Sequence, residues 1–361
     1  MNESFNGYFL GSAGCGDFFS LFDALTPPNN LEWYTYILKG GPGTGKSTLM
    51  KALAARAAEN DIPCERICCA SDPESLDAVI FPELKACVVD GTAPHTLEPK
   101  YPGATAEIIN LGKFKESELV AQREKIAALT DANLTHHARA RRFIDAAFGI
   151  YRDAAAIEKN CILPQKSLRY AARLAARVMP SPSQNSNSKV TRRLFDAVTP
   201  KGYIFNGIPP LETAVVFVDD FSAASGQIID KIRFYALEKG YDITESPAIS
   251  GGSLRHIIIP EASAGFFTSD FLCPVHIEGA RYVRASRFTD TDAVRERRAR
   301  LSFSKKAALE LMGEAVSSLK KAGEIHDELE KIYIGATDFE FVNLQLGLIF
   351  EKLWKRQWHE E

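Results

Sequence analysis

No apolar run in this chain approaches the roughly 18 residues of a membrane-spanning helix, so no membrane partner is expected. The stretch from Met1 to Gly7 lacks a basic segment followed by an apolar one, and no secretory signal is expected. The seven cysteines (Cys15, Cys64, Cys68, Cys69, Cys87, Cys161 and Cys273) include no C-x-x-C pair. That pattern predicts reduced thiols and a cytoplasmic protein, not a disulfide framework or a zinc site. Strong charge of one sign is also missing. Lys and Arg total 43 against 46 Asp and Glu, a net charge of −3, which argues against a nucleic-acid partner beyond a local basic patch. With 45% hydrophobic residues, the 361-residue chain can build packed cores, and its length predicts two domains of ordinary size.

What is present is a glycine-rich loop: Gly40, Gly41, Pro42, Gly43, Thr44, Gly45, Lys46, Ser47 and Thr48. It fits G-x-x-x-x-G-K-[ST] in full. The β-prone run Tyr34 to Leu38 precedes it, and an alanine-rich helical pattern follows from Leu49 to Asn60. Strand, glycine loop and helix together make a phosphate-binding context. Glycines let backbone N–H groups turn toward phosphate oxygens where a Cβ would crowd them. The helix start adds its positive end. Lys46 is expected to reach the β- and γ-phosphates, and the Ser47 hydroxyl to hold Mg²⁺.

Two further strand ends carry carboxylates. The run Lys85 to Asp90 is hydrophobic and ends in Asp90, which makes Asp90 the expected partner of Ser47 on Mg²⁺. The competing explanation is an aspartate that starts a turn before Gly91. Cys64 to Ala70 is another buried-strand pattern, and Asp72 lies just beyond it. Asp72 could orient an attacking water or a substrate hydroxyl, or cap the next segment. His95 and Thr92 are candidates for contact with the γ-phosphate.

Residues 115–178 read as helices, expected to form a hairpin arm. Arg139, Arg141, Arg142, Arg169, Arg173 and Arg177 make the arm basic, which suits either a solvated face or an arm for RNA, DNA or an acidic partner. Ser181 to Ser188 is polar and aperiodic and reads as a linker.

The second half repeats the first. Phe22-Asp23-Ala24-Leu25-Thr26-Pro27 returns as Phe195-Asp196-Ala197-Val198-Thr199-Pro200, Ser75-Leu76 as Ser253-Leu254, and Glu158-Lys159 with Ile162 as Glu330-Lys331 with Ile334. The expected fold class is α/β: two tandem P-loop NTPase-like three-layer lobes with mainly parallel sheets, each followed by a helical arm. The boundaries expected are 1–180 with an arm at about 115–178, a linker at 181–190, and 191–361 with an arm at about 290–361. The second glycine loop has decayed to Asp220 through Ile228, which sets Gly226 against Lys46 and Gln227 against Ser47. Asp219 and Asp220 stand where phosphates would lie, and their charge repels phosphate.

These features resemble a family of bacterial proteins with two tandem P-loop NTPase lobes, mostly described as ATPases or as uncharacterised. The resemblance rests on Ile37 to Thr48, on Ser71-Asp72 followed by Ser75 to Ile80, and on Val89 to His95 with Glu98-Pro99-Lys100. It extends to Ile109 through Gly112 and Thr199 through Gly202. Both lobes of such proteins commonly carry a phosphate loop, and this chain departs from that at 220–228. The resemblance implies nucleotide binding and hydrolysis. Together these features point to a Mg²⁺-dependent ATPase, with GTP as the alternative nucleotide, using Lys46, Asp90, Asp72 and His95. The alternatives are a small-molecule or nucleoside kinase, and a nucleotide-gated module whose arms engage a protein partner or a second copy.

Overall fold

The computed structural model describes residues 7–16, 18–25, 31–93, 96–183 and 188–357. Strands β1 (Gly11–Ala13) and β2 (Phe18–Ser20) come first. Strand β3 (Tyr34–Lys39) leads into helix α1 (Lys46–Glu59), followed by β4 (Glu65–Cys68), β5 (Leu76–Phe81), β6 (Ala86–Asp90) and β7 (Ala106–Asn110). Helices α2 (Glu116–Ala121), α3 (Arg123–Lys159) and α4 (Pro164–Val178) come next. Then follow β8 (Val190–Arg192), β9 (Asp196–Thr199), β10 (Gly202–Phe205), β11 (Thr213–Val218), α5 (Ala223–Glu238), β12 (Ile243–Pro247) and β13 (Leu254–Ile259). Strands β14 (Ala264–Ser269) and β15 (Arg281–Arg284) and helices α6 (Thr291–Ala336) and α7 (Phe339–Gln357) complete the order. The protein is thus mixed α/β, and none of the described helices is long and apolar enough to cross a membrane.

Two compact units form, and they do not follow the halves 1–180 and 191–361. One unit comprises residues 1–19 and 140–316, and the other 20–139 and 317–361. The physical reason is that the long helices are exchanged: α3 and α6 each contribute residues to both units. The expected hairpin of α3 with α4 is not what buries α4. Helix α4 instead buries Ala171, Leu174 and Ala175 in one cluster with Ile228, Ile229 and Ile232 of α5. In the other unit α3 meets α6, where the Asn133 side-chain amide donates to the Ala322 carbonyl at 2.8 Å. The expected linker lies within the first unit: the Ser183 N–H donates to the Lys239 carbonyl at 2.8 Å. Residues 184–187 fall outside the described residues.

The unit containing β3 has a five-stranded sheet in the order β4-β5-β6-β3-β7. Strand β3 runs parallel to β6 and β7, whereas β4, β5 and β6 pair antiparallel. The sheet is therefore mixed, not mainly parallel. A parallel return needs a crossover of about a dozen residues or more, and the turn from Phe81 to Ala86 is too short for one. The other unit repeats this order and these directions as β12-β13-β14-β11-β15, with β8 added beside β12. Even the register irregularity recurs, between Ile67 and Cys68 in one sheet and between Ser246 and Pro247 in the other.

Alternation of side chains along a strand builds two apolar faces in the unit of β11. Val215, Phe217, Ile257, Ile259 and Phe266 pack with α4 and α5. Val216, Ile258 and Phe267 face the other way, toward Phe195, Phe205 and Ile208. That second face is covered by the β9–β10 hairpin and coil and not by a helical layer. Phe9 and Leu194 exchange backbone hydrogen bonds of 2.8 and 2.9 Å, which ties the segment before β1 to this unit. The repeated motif diverges locally: Phe22–Ala24 forms a 3-10 turn, Asp196–Thr199 a strand.

An ionic network lies inside this unit. Arg255 donates from Nε to Asp196 at 2.6 Å and pairs also with Asp270, and the His256 Nε2 lies 2.9 Å from Asp196. Burial works to raise the Asp196 carboxyl, but Arg255 and His256 outweigh it and hold it below its ordinary range. Burial pushes the His256 imidazole down, which keeps it uncharged near neutrality. Arg255→Met would strand two buried carboxylates, and a loss of roughly 3–5 kcal/mol is expected. Urea unfolding followed by near-UV circular dichroism measures it. A loss under about 1 kcal/mol would mean that the network contributes little beyond packing.

Candidate phosphate site

Strand β3 holds Tyr36, Ile37 and Leu38 in the core between β6 and β7 and delivers the glycine loop at the sheet's edge. Gly43 and Gly45 take φ of +67° and +82°, a region that side chains with a Cβ resist. Thr44 is buried, and its hydroxyl donates to the Gly41 carbonyl at 2.9 Å, which braces the loop from inside. Helix α1 begins at Lys46. The expected strand, loop and helix are therefore all in place.

The Lys46 ammonium donates to the Gly40 and Gly41 carbonyls at 3.0 Å each and lies 3.7 Å from Asp90 Oδ2. Asp90 is the last residue of β6 and pairs in register with Leu38. Its Oδ1 accepts from the Thr92 N–H at 2.9 Å and the Thr92 hydroxyl at 2.6 Å, as the turn explanation expects, while Oδ2 faces Lys46. Ser47 Oγ accepts the Leu76 N–H at 3.0 Å, which pins the start of β5 to the start of α1. Thr48 is exposed and Pro42 half-buried. Lysine, serine and aspartate thus converge on one edge of the sheet, where they can neutralise phosphate and offer hard oxygen donors to a cation.

Asp72 is engaged differently. Its carboxylate accepts from the Ser75 hydroxyl at 2.6 Å and the Glu74 N–H at 3.2 Å, closing the turn into β5 as a cap would. His95 lies outside the described residues. All seven cysteines are free, with Cys68 and Cys87 buried and Cys69 half-buried.

Residues far along the chain also reach this loop. A Cβ added to Gly41 would meet the Tyr333 ring at 3.0 Å. At Gly43 it would meet Ile334 Cγ1 at 2.8 Å and the Glu330 carbonyl at 3.0 Å, and at Gly45 Val342 at 3.6 Å. The turn between α6 and α7 is anchored there by a Phe114–Thr337 bridge, an edge-on Phe114–Tyr333 pair and a 2.9 Å Lys113–Asp338 ion pair. The repeat of Glu158-Lys159 as Glu330-Lys331 was the only signal in the sequence for this contact.

The loop of the other unit is built on a different principle. Register aligns Leu38 with Phe217, and the helix ends align Ala57 with Ala236, without a gap. Lys46 therefore corresponds to Ser225 and Ser47 to Gly226, one residue earlier than the sequence repeat suggests. Gly43 corresponds to Ser222, which keeps a left-handed φ of +58°. Asp219 Oδ2 accepts the N–H groups of Ala224 and Ser225 at 2.9 and 2.7 Å, so a carboxylate of the loop itself sits on the amides of the helix start. Asp220 pairs with Lys305 at 2.8 Å. Tyr151 bridges Ser222 at 2.6 Å and Asp270 at 2.9 Å. Arg287, like Arg281 and Arg284, belongs to this unit, where it stacks on Tyr170 at 5.2 Å.

No family model, no curated protein and no solved structure matches this chain.

Glu158, the repeat partner of Glu330, lies against Asp219 and Asp220. Burial first, and then the charges of these two aspartates, push its carboxyl from 4.5 to about 8. Asp219 has two amide donors, so the proton of the pair resides on Glu158. A carboxyl raised in the folded state stabilises fully below its unfolded pKa, and that contribution is lost as pH rises through the folded value. Stability should fall between about pH 4.5 and 8 more steeply in the parent than in Glu158→Gln. Thermal midpoints of both proteins across that range test this, and parallel profiles would contradict it.

Proposed function

We propose that this protein is a Mg²⁺-dependent nucleoside triphosphatase with one competent site, Gly40 to Ser47, using ATP, with GTP as the alternative. The observation that carries this reading is the approach of Lys46 to Asp90, 3.7 Å, at the joint of strand, glycine loop and helix. In the same proposal each sheet belongs to a P-loop-like lobe, repeated in tandem as in the family that the sequence resembles. The shared strand order of the two sheets supports that repeat.

The donor set fits Mg²⁺. Ser47 and Asp90 offer a hydroxyl and a carboxylate, both partly buried, and magnesium takes one or two protein carboxylates beside phosphate oxygens and water. When bound, the ion supplies charge neutralisation on the β- and γ-oxygens. The chain's own part is binding and positioning. Loop amides and the start of α1 hold phosphate oxygens. Lys46 exchanges the Gly40 and Gly41 carbonyls for phosphate oxygens, a stronger partner for an ammonium. Asp90 is kept in place by Thr92. Asp72 is already satisfied within its turn, which leaves the orientation of the attacking water, and equally the base that a kinase would need, unassigned among the described residues.

A nucleotide-gated module is the second reading, favoured by the packing of the α6–α7 turn on the loop. Protein partners or self-association through the helices, in a cytoplasmic setting, suit it. The unit with Asp219 on its helix start is expected not to bind nucleotide, because carboxylate and phosphate would compete for the same amides.

Isothermal titration of the parent with ATP, GTP and ADP, with and without Mg²⁺, is expected to give one site per chain. Lys46→Ala should weaken binding and reduce hydrolysis at least a hundredfold, since phosphoryl transfer relies on positioning and charge. Parental hydrolysis in a folded Lys46→Ala protein would eliminate the triphosphatase. A stoichiometry of two would restore the other loop as a binding site.

A further inference from the structure

Helix α4 carries positive charge on one side and nothing of the opposite sign to balance it. Lys166, Arg169, Arg173 and Arg177 recur at helical spacing and are exposed, and no Asp or Glu occurs from Pro164 to Val178. The other side of the helix, with Ser167, Ala171, Leu174 and Ala175, is buried. Residues three and four apart on a helix are neighbours, so the stripe sets like charges side by side, which is destabilising. Lys166 and Arg169 also stand in the first turns, where the helix end is already positive. Exposed cations of α6 are paired instead, Arg295 with Asp292 at 3.0 Å and Lys321 with Glu324 at 2.8 Å. Among the described residues, no carboxylate lies within ion-pair distance of the α4 stripe. The stripe borders a cavity of about 670 Å³, lined by Lys166, Arg169 and Arg173 together with Arg287, Tyr170 and Phe288, and by no carboxylate. Arg287 is exposed, and its guanidinium lies on the Tyr170 and Phe288 rings at 5.2 and 5.3 Å.

We propose that this face binds single-stranded nucleic acid, with phosphates along the α4 stripe and one base received in the cavity against Arg287. At 1.5 Å per residue, Lys166 to Arg177 spans about 16 Å. An extended polyanion neutralises the whole row, whereas a small phosphate meets only part of it. Guanidinium forks match phosphate oxygens in pairs, and a guanidinium plane is also a surface on which an unstacked base lies. The two rings behind Arg287 hold that plane in place before any ligand arrives. A base inside a duplex is stacked and enters a cavity only after flipping out, which favours a single strand. An anionic membrane would lie flat across the stripe and leave the cavity unused. The chain's net charge of −3 confines the attraction to this face. The site is independent of the Gly40–Ser47 loop, which belongs to the other unit.

Fluorescence anisotropy of the full chain tests this, with a labelled single-stranded oligouridylate of about 12 nucleotides as the probe. Affinity is measured between about 50 and 200 mM salt, where counterion release sets a slope of roughly −0.7 per phosphate contact, or about −3 for four contacts. Arg169→Gln with Arg173→Gln, both exposed, should weaken binding about tenfold or more and bring the slope to about −1.5. Arg287→Lys keeps the charge but removes the plane, so affinity should fall severalfold at an unchanged slope. Lys46→Ala should bind the strand like the parent. A parent that does not bind, or a double variant that binds equally well, overturns the proposal. So does a duplex of the same length that binds as tightly as the single strand. Displacement of the strand by tripolyphosphate at the strand's own affinity would make the cavity a small-anion site instead. Capture only by phosphatidylserine vesicles would make the face a membrane contact. Parental affinity in Arg287→Lys would remove the base from the cavity.

Discussion

Backbone amides at a helix start cannot be left without an acceptor, and much of this architecture follows from how that need is met. Each sheet delivers a short loop into the start of a helix, and another part of the chain lies against each loop. Asp219 is part of its loop and accepts two amides at the helix start. The Glu330 backbone reaches the other loop, at Gly43, from a helix more than two hundred positions away. One loop is thus met by its own carboxylate and the other by a distant turn, although strand order and direction are the same in both units.

The exchanged helices make the second arrangement feasible. Helix α3 carries Glu158 to the unit of β11, and α6 carries Glu330 to the unit of β3. The two glutamates occupy equivalent positions in the sequence repeat, yet their chemistry differs. Glu158 meets two aspartates and holds a proton. Glu330 meets the His326 imidazole at 3.6 Å, which draws its carboxyl below the ordinary range. A single motif has therefore become a neutral strut in one place and a charged contact in the other, according to what each loop offers.

Much of this was legible in residues alone, because the relevant physics is local. The Gly40–Ser47 loop, its strand, its helix and Asp90 at the end of β6 all follow from patterning between Tyr34 and Asp90. The different composition of the second loop is legible too, but the repeat alone sets the correspondence one residue late, because the start of α5 winds further back than the start of α1 and only strand register resolves that. The units themselves were not legible. Periodicity marks α3 and α6 as helices but says nothing of which sheet they cover. The antiparallel β4–β5–β6 meander was hidden for a related reason, since buried strands read as apolar runs whatever their direction. Asp72 shows the limit of position arguments: it stands beyond a strand end, as expected, but its carboxylate is consumed by Ser75.

The exchange of α3 and α6 also sets an order of events during synthesis. The sheet of β3 can pair as soon as β7 has been made, but the residues that cover its loop begin at 317. At the usual pace of about 5–20 residues per second, that leaves a long interval in which the glycine loop is formed and bare. Closing so large a loop of chain is slow compared with local pairing. The glycine loop is thus among the first parts of the molecule to take shape and among the last to be covered.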